Sequence, residues 1–400
     1  MASCSSSNLP PLPDLGKDVN CKALSWYGFS QKNMFWEEVK LANPADSPPI
    51  FVEHGEGNAN NASDDIRGQG NAGEDKSERD TSVPDLSFAT WNIDAYGYEH
   101  AARFRAIMTT IGLEAAFQAP DDTEDPTPSP FGLATTDVIF LQEVSGLGKE
   151  ALVNCVAVRD YYVSGIHWMF EDVNHPFYNV ILLSRNRFTP EYTTDPRMLT
   201  LGPVWMVNYP SRFGRYALCC DVTLSALATL RLVNVHLDSL PARPNLRPSQ
   251  LAIVSKMLKA EGIAAGMVAG DFNPVIPEED DGSVAANGLT DCWLQLKGTG
   301  DDADPGFTWG VSRQERFPPI RMDKVAIVNN NYRDSDGVGD GDGSTGSSKG
   351  CVLKAKDTCL LEPTYVKLGM GSRTEGGLED DEPLVPASDH LGIYMQFGLN

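Results

Sequence analysis

The segment Met267–Asn273, with the sequence MVAGDFN, joins an apolar run to a polar end. The apolar run 263–269 predicts a buried strand, and Gly270 after it lets the chain turn. Asp271 and Asn273 then stand two residues apart at the edge of the predicted sheet. A carboxylate that takes a proton and an amide that donates hydrogen bonds suit hydrolysis at a phosphate. Because Gly-Asp turns are common, this segment alone does not identify a catalytic site.

The chain has 400 residues, enough for one large α/β domain and an additional region. Residues 1–85 are rich in Pro, Ser, Asn and Gly, and the part 53–85 carries nine acids and three bases. This composition predicts a largely disordered N-terminal region. An aromatic island at 26–36 either docks on the main domain as a strand or hairpin, the favoured interpretation, or binds another molecule. A catalytic domain is predicted at 86–400.

Targeting signals are not evident in the sequence. No window approaches the roughly 18 consecutive apolar residues of a membrane span. The N-terminus has neither the basic start nor the apolar stretch of a secretory signal, and the eight cysteines form no Cys-x-x-Cys pair. We therefore expect an intracellular chain, nuclear or cytoplasmic or both, that is not secreted and has no membrane partner.

The net charge of −23 argues against a nucleic-acid partner only until its distribution is considered. Acidic residues concentrate in a few tracts, and the remainder of the chain has a net charge of about +3. We predict acidic loop insertions at about 121–130, 278–286, 334–350 and 372–386. The ordered part can therefore present a basic face near its site.

Hydrophobic periodicity predicts many strands and few helices. Strands are predicted at 86–93, 138–141, 178–183, 216–224, 230–237, 263–269, 324–328 and 391–397, and helices around 104–111 and at 249–261. This proportion indicates stacked sheets and not a Rossmann fold.

Polar residues recur where these strands end or turn: Asn92, Asp94, Glu143, His236, Asp271, Asn273, Asp323, Asp389 and His390. Taken singly, each is more often a capping acid, a satisfied core histidine or a solvated charge. Hydrolysis of a phosphodiester needs a hard cation held by carboxylates, a base for water, and donors for negative charge on phosphorus. The set supplies a candidate for each need.

Six ordered blocks resemble the endonuclease/exonuclease/phosphatase superfamily: TWNID at 90–94, LQEV at 141–144, NVHL at 234–237, GDFN at 270–273, RMDK at 321–324 and SDHL at 388–391. The resemblance covers about 86–399. It implies the DNase I-like α/β fold, a four-layer sandwich of two mixed β-sheets packed face to face with helices outside. It also implies a site at one end of the sandwich and a Mg²⁺ or Mn²⁺ ion.

Within the superfamily, the linkers are similar to those of the 5′-tyrosyl-DNA phosphodiesterases, at ILLSR 181–185, the helix start 247–251 and FTW 307–309. This implies hydrolysis of a 5′-phosphotyrosyl bond between protein and DNA in DNA repair, with single-stranded or frayed 5′ ends as the DNA partner. Alternatives are an apurinic endonuclease, a nuclease or deadenylase, or a phosphatase of the same superfamily. A non-catalytic acidic interaction protein is a further alternative, and no partner is predicted for the N-terminal region.

The resemblance also implies residue roles. Glu143 is the expected principal metal ligand, with Asp94 and Asp389 bound directly or through water. Asp271 orients or deprotonates the attacking water. Three residues are expected to hold the scissile phosphate: Asn92, Asn273 and His236. Asp323 orients His390, whose imidazolium stabilises negative charge on phosphorus.

Four further residues are expected to bind substrate. Trp309 and Tyr178 are predicted to wall the pocket by stacking on a base or ring. Arg215 and Arg247 are predicted to bind flanking phosphates. A tyrosine leaving group, with a pKa of about 10, departs without a strong general acid.

Overall fold

The computed structural model describes residues 9–42, 84–97, 99–112, 136–165, 177–193, 195, 197–224, 228–300, 303–311, 317–330, 353–362, 365–367 and 384–399. Its strands are β1 Asn20–Leu24, β2 Trp26–Ser30, β3 Phe35–Val39, β4 Leu86–Asn92, β5 Val138–Ser145, β6 Tyr162–Ser164, β7 Phe177–Ser184, β8 Phe188–Thr189, β9 Leu199–Asn208, β10 Tyr216–Leu224, β11 Ala228–His236, β12 Ile263–Asp271, β13 Thr290–Asp291, β14 Asp323–Asn329, β15 Leu353–Leu361, β16 Tyr365–Lys367, β17 Leu384–Pro386 and β18 Gly392–Leu399. Its helices are α1 His100–Thr110, α2 Gly146–Asn154, α3 Val156–Tyr161, α4 Arg247–Leu258, α5 Pro277–Asp280, α6 Ser283–Ala286 and α7 Cys292–Lys297.

Most of these strands form two mixed sheets. The first has the order β1-β9-β10-β11-β12-β14-β13, with β8 beside β9. The second has the order β15-β18-β4-β5-β7-β6-β2-β3. Neighbouring strands are mostly antiparallel, but β11 and β12, β8 and β9, and β4 and β5 run parallel. Strands β16 and β17 form a separate small pair.

The two sheets pack face to face over a shared apolar core. Phe88 and Phe140 from the second sheet meet edge to face with ring centroids 5.0 Å apart, within one cluster that also contains Leu218 and Leu232 of the first sheet. A second cluster lies between the second sheet and α1 to α3, and a third lies between the first sheet and α4. Helices therefore cover both outer faces, and the molecule is an α/β sandwich of four layers.

Strand β12 occupies the centre of the first sheet, and all nine of its residues are buried. A strand buried on both faces reads as a continuous apolar run, which is why the sequence reveals it. The run ends at Gly270, whose φ is +130° and whose position leaves no room for a Cβ, since that atom would overlap the Val235 carbonyl oxygen. The strand end thus presents Asp271 beside β11.

The N-terminal residues 9–42 belong to the sandwich. Strand β1 pairs with β9, and the β2–β3 hairpin pairs with β6 at the edge of the second sheet. Trp26 is buried, and its Nε1–H donates to the Gly202 carbonyl oxygen at 2.8 Å. The aromatic island therefore docks as a hairpin. The predicted boundary between 1–85 and 86–400 is wrong for these residues, because they bury apolar surface in both sheets.

The structure describes only part of the four predicted acidic insertions. The segment 278–286 is largely helical, in α5 and α6. Residues 384–386 form β17, and the rest of the predicted insertions and the tract 53–83 lie outside the described residues. Within the described part of the chain, no helix is long and apolar enough to cross a membrane.

Candidate active site

Polar side chains meet where central strands of both sheets end. Asn92 is the last residue of β4, and His236 and Asp271 are the last residues of β11 and β12. The strand register places His236 beside Asp271, and Asp271 beside Asp323 at the start of β14. Residues distant in sequence therefore share one end of the sandwich. We call His236, with Glu143 and Arg215 beside it, the β11 flank of Asp271. Asp323 and His390 form the β14 flank.

Asp271 lies at the centre of the site and is 2% exposed. Its Oδ2 accepts a hydrogen bond from Asn92 Nδ2 at 3.0 Å, and its Oδ1 accepts one from the Asn273 backbone N–H at 2.9 Å. Burial raises the pKa of Asp271 to about 6, although the positive charge of His390 opposes the shift. A carboxylate with a pKa close to neutrality suits general-base catalysis.

On the β14 flank, His390 contacts two carboxylates. Its Nδ1 lies 2.7 Å from Asp323 Oδ2, and its Nε2 lies 3.9 Å from Asp271 Oδ2. Burial disfavours the charged ring, but the negative charge and hydrogen bond of Asp323 outweigh burial and raise the pKa of His390 well above its usual range. His390 is therefore an imidazolium at neutral pH, held by a carboxylate.

On the β11 flank, His236 is in the opposite state. Its Nε2 lies 3.4 Å from Asp271 Oδ2 and 3.8 Å from Glu143 Oε1. The ring stacks on Phe177 with centroids 5.9 Å apart. Burial and the positive charge of Arg215 lower the pKa of His236 well below its usual range. His236 is therefore neutral, with one ring nitrogen protonated.

A narrow cleft opens beside His236. It is lined by Phe177, Asn179, Phe213, Gly214, Arg215, Tyr216 and His236. The Arg215 guanidinium lies 4.7 Å from the Phe177 ring centroid and 6.0 Å from that of Phe213. Arg215 Nε and His236 Nδ1 are buried and find no hydrogen-bond partner within the described part of the chain. This Arg215 cleft therefore combines aromatic walls with nitrogens suited to an anionic ligand.

Glu143 lies at an irregularity of β5, where the register with β7 shifts between Leu141 and Val144. Its φ is +57°, an uncommon conformation for a residue with a Cβ, and such strain is typical of functional sites. Its Oε2 accepts a hydrogen bond from the Ala95 backbone N–H at 3.0 Å. Burial raises the pKa of the Glu143 carboxyl. The bulge therefore places a strained, mostly buried carboxylate against His236.

Asn273 shares the positive-φ backbone, with φ of +47°. Its side-chain Nδ2 donates to the Leu237 carbonyl oxygen at 3.2 Å, and the residue is 6% exposed. This bond satisfies one of the two amide hydrogens and ties the turn after β12 to the end of β11. The second amide hydrogen is the one available to a phosphate.

Several solved structures are similar to this chain. D. rerio TDP2 complexed with single strand DNA product is 21% identical, with coverage of 78% of this chain and 99% of that chain and a TM-score of 0.50. The human Nocturnin catalytic domain with bound sulfate is 16% identical, covering 80% and 96% at a TM-score of 0.44. An endonuclease/exonuclease/phosphatase family protein from Leptotrichia buccalis is 12% identical, covering 78% and 99% at 0.43.

This chain has the endonuclease/exonuclease/phosphatase fold. No family model matches the chain, and no curated protein matches its sequence. The superfamily predicted from the six sequence blocks is thus the one whose structures the chain resembles, TDP2 among them. At this level of identity the likeness establishes the fold alone.

The endonuclease/exonuclease/phosphatase fold implies a divalent metal ion, and such an ion needs carboxylate oxygens as ligands. Mg²⁺ is commonly held by one or two carboxylates together with water and substrate phosphate oxygens. Glu143 offers a hard oxygen donor whose buried negative charge a cation would stabilise. Glu143 is therefore a carboxylate at the site whose chemistry fits a hard divalent cation.

The predicted set of three carboxylate ligands is not assembled. Among the residues that the structure describes, no group of three His, Cys, Asp or Glu side chains is arranged to hold a metal ion. Asp94 Oδ2 pairs instead with Arg103 at 2.8 Å, and Asp389 Oδ2 accepts a hydrogen bond from Trp309 Nε1 at 3.2 Å. Asp94 therefore has a cationic partner and Asp389 an N–H partner, while Glu143 accepts one backbone hydrogen bond, from Ala95.

Of the two arginines predicted to bind phosphate, the structure places only Arg215 at the site. Arg247 is 3% exposed and donates from Nε and NH2 to the Asp280 carboxylate at 2.8 to 3.1 Å. Its NH1 donates to the Asp238 and Leu240 carbonyl oxygens at 3.0 Å. The phosphate-binding role predicted for Arg247 is therefore wrong, because its guanidinium is occupied within the protein.

The aromatic wall differs from the prediction by one residue. Tyr178 packs in the cluster between the second sheet and the helices, with Lys149 Nζ 5.3 Å from its ring centroid. Its neighbour Phe177 points to the Arg215 cleft, because adjacent side chains on a strand face opposite sides. Trp309 is half-buried and pairs through its backbone with His390, so it lies beside the site as predicted. Strand alternation along β7 places Phe177 and Tyr178 on opposite faces, but it does not say which of the two faces the cleft.

Proposed function

We propose that this protein is a metal-dependent phosphodiesterase that hydrolyses a 5′-phosphotyrosyl bond between a protein and DNA. The observation that carries the proposal is the arrangement around Asp271, whose Oδ2 lies 3.4 Å from His236 Nε2 and 3.9 Å from His390 Nε2, with Asp323 2.7 Å from the other nitrogen of His390. A base near neutral pKa, a fixed cation and neutral donors are the groups that phosphate hydrolysis requires.

In this proposal Asp271 takes the proton of the attacking water. Asn92 and the Asn273 backbone N–H hold the Asp271 carboxylate in one orientation through their hydrogen bonds. The His390 imidazolium, fixed by Asp323, stabilises the negative charge that develops on the phosphate oxygens. Neutral His236 donates a hydrogen bond to the same phosphate. Each role uses the charge state that the surrounding residues impose.

Glu143 would hold a Mg²⁺ or Mn²⁺ ion, which when bound supplies positive charge at the phosphate and the leaving oxygen. The strained backbone at Glu143 and its hydrogen bond from Ala95 fix the direction of the carboxylate before any ligand arrives. This preorganisation is typical of groups that act in a transition state.

The Arg215 cleft supports an aryl leaving group. Phe177 and Phe213 line the cleft, and the Arg215 guanidinium supplies the positive charge that favours a departing phenolate. D. rerio TDP2 has been solved with a single-stranded DNA product, which supports DNA as the other part of the substrate. We propose a nuclear or cytoplasmic role in the repair of such protein-linked DNA ends.

A panel assay with 5′-phosphotyrosyl DNA, abasic duplex, poly(A) RNA and inositol phosphates tests the proposal at equal enzyme and Mg²⁺ concentrations. We expect the highest kcat/KM on 5′-phosphotyrosyl DNA and loss of that activity in excess chelator. Glu143→Gln, purified in parallel, controls for contaminating nucleases. Higher kcat/KM on another substrate would assign a different phosphoric ester, and no turnover of any substrate would contradict the hydrolase itself.

A further inference from the structure

Asp238 connects the end of β11 to the segment that carries Arg215. The residue is 3% exposed and follows His236 by two positions. Its Oδ1 accepts hydrogen bonds from the Ser211 hydroxyl at 2.5 Å and from Gln250 Nε2 at 2.9 Å. Its Oδ2 accepts one from the Arg212 backbone N–H at 3.0 Å. One buried carboxylate therefore holds two successive residues of the 211–215 segment.

Ser211 extends this connection to Arg215. The Ser211 Oγ accepts hydrogen bonds from the Phe213 backbone N–H at 3.1 Å and from the Arg215 backbone N–H at 2.8 Å. Ser239, the residue after Asp238, accepts a hydrogen bond from Arg215 NH2 at 2.8 Å. Both the backbone and the guanidinium of Arg215 are thus positioned from residues 238 and 239.

The turn that contains Asp238 is itself fixed from beneath. The Gln250 side-chain oxygen accepts a hydrogen bond from the Asp238 backbone N–H at 3.1 Å. Arg247 NH1 donates to the carbonyl oxygens of Asp238 and Leu240, while the rest of its guanidinium pairs with Asp280. The φ of Leu240 is +65°, a strained value that persists only where neighbouring contacts impose it. The turn is therefore held by side chains of α4 on its inner side.

We propose that Asp238 is a positioning residue for the Arg215 cleft, which sets where the Arg215 guanidinium meets the substrate without itself touching the reacting atoms. Loss of its charge leaves the Ser211 hydroxyl and the Arg212 N–H with a weaker acceptor, so the 211–215 segment loosens. A misplacement of about 1 Å at a site of this kind costs about 100-fold in rate. This inference rests on the proposed function, because the position of Arg215 affects catalysis only if the Arg215 cleft binds the substrate.

Asp221 provides a matched control. It is 5% exposed, also carries a buried carboxylate, and pairs with Arg231 Nε at 2.8 Å. It lies in β10, five residues beyond Tyr216, and has no hydrogen bond to the 211–215 segment among the described contacts. Asp221→Asn and Asp238→Asn remove the same charge with the same change of shape. A general effect on stability should appear in both variants.

The kinetic test is a double-mutant cycle on kcat/KM with 5′-phosphotyrosyl DNA. We expect Asp238→Asn to lower kcat/KM by about 10- to 100-fold. In an Arg215→Met background, the same substitution should change kcat/KM by less than about 2-fold, because the group it positions is gone. Asp221→Asn should change kcat/KM in neither background. An equal loss in both backgrounds, or none in the first, would overturn the proposal.

Hydrogen–deuterium exchange of the backbone amides of 211–216 supplies a readout without turnover. Exchange should be faster in Asp238→Asn than in the wild type, and should rise less in Asp221→Asn, whose broken ion pair with Arg231 reports the general loss of stability. If the wild type hydrolyses no ester in the panel, the proposed function fails and this exchange still decides the positioning role. Should Asp238→Asn not fold, Ser211→Ala removes the next link and carries the same expectations. Unchanged exchange in the variant that folds would overturn the positioning role.

Discussion

The two flanks of Asp271 carry the same type of residue in opposite charge states. On the β14 flank, Asp323 lies 2.7 Å from His390 and keeps that ring charged. On the β11 flank, burial and the charge of Arg215 keep His236 neutral. Burial is almost equal, since the two histidines are 5% and 2% exposed. The hydrogen bond and negative charge of Asp323 therefore outweigh burial in the pKa of His390, whereas burial is the largest effect on the pKa of His236.

This difference divides the work at the site. The charged ring can stabilise negative charge on a phosphate, while the neutral ring can donate a hydrogen bond without repelling a cation held at Glu143. Two imidazolium rings beside Glu143 would compete with a metal ion for the same carboxylate. The comparison thus predicts unequal consequences for changes on the two flanks.

The largest effect is expected at the residue that the flanks share. Asp271→Asn keeps the shape but cannot take a proton, so kcat should fall by about 10²- to 10⁴-fold. Binding of DNA, measured by fluorescence anisotropy, should change little. A loss confined to KM would contradict the assignment of Asp271 as the base.

The flanks themselves are compared next. His390→Gln removes a fixed cation and should lower kcat by about 10²- to 10³-fold. His236→Gln, which retains a neutral hydrogen-bond donor, should lose about 10-fold or less, in line with one neutral hydrogen bond of about 1 kcal/mol. Saturation kinetics on purified, folded variants measures both. Equal losses would remove the distinction between the flanks.

Arg215 and Arg247 allow a residue that lines the Arg215 cleft to be compared with one that stabilises the fold. Arg215→Met should lower kcat/KM by about 10- to 100-fold, as expected for a charge-assisted contact of about 1.5–3 kcal/mol, with little change in stability. Arg247→Met leaves Asp280 buried without its cation and should destabilise the fold by about 3–5 kcal/mol. Urea unfolding and steady-state kinetics separate these outcomes. An Arg247→Met protein of unchanged stability would contradict the buried ion pair.

The smallest effect concerns the dependence of stability on pH. Because the pKa of Asp271 is raised to about 6 in the folded state, the folded protein binds this proton more tightly than the unfolded chain. The ionised carboxylate therefore costs stability, fully above about pH 6, and the cost shrinks as the pH falls from about 6 to the unfolded pKa of about 4. Asp271→Asn should raise Tm at pH 7.5, raise it less at pH 5 and leave it nearly unchanged below about pH 4. A lower Tm for the variant at pH 7.5 would mean that the carboxylate is stabilised and not penalised by its site.

Much of this site is visible in the sequence because central strands are buried on both faces. Such strands appear as apolar runs, and the first polar residue after each run marks its end, as at Asn92, His236 and Asp271. Strand β9, closer to the edge of the first sheet, is harder to predict from the sequence. Strand β9 contains Gly202 and Pro203, residues that usually interrupt a strand, and the structure places them opposite Asp221 where the register shifts.

Side-chain partners far apart in sequence were the part that could not be predicted. Arg247 pairs with Asp280, 33 positions away, and neither local sequence predicts this ion pair. Arg103 takes Asp94, nine residues away, from the predicted set of metal ligands. The choice between Tyr178 and Phe177 depends on which face of β7 turns to the cleft, and a shift of one residue reverses it.

The charge states of the two histidines are the most direct test of this account. Long-range ¹H–¹⁵N correlation spectra of the metal-free protein at pH 7, assigned with His236→Gln and His390→Gln, report the protonation of each ring nitrogen. The account predicts a doubly protonated His390 and a neutral His236 with a single N–H. Two neutral rings, or a charged His236 beside a neutral His390, would contradict it.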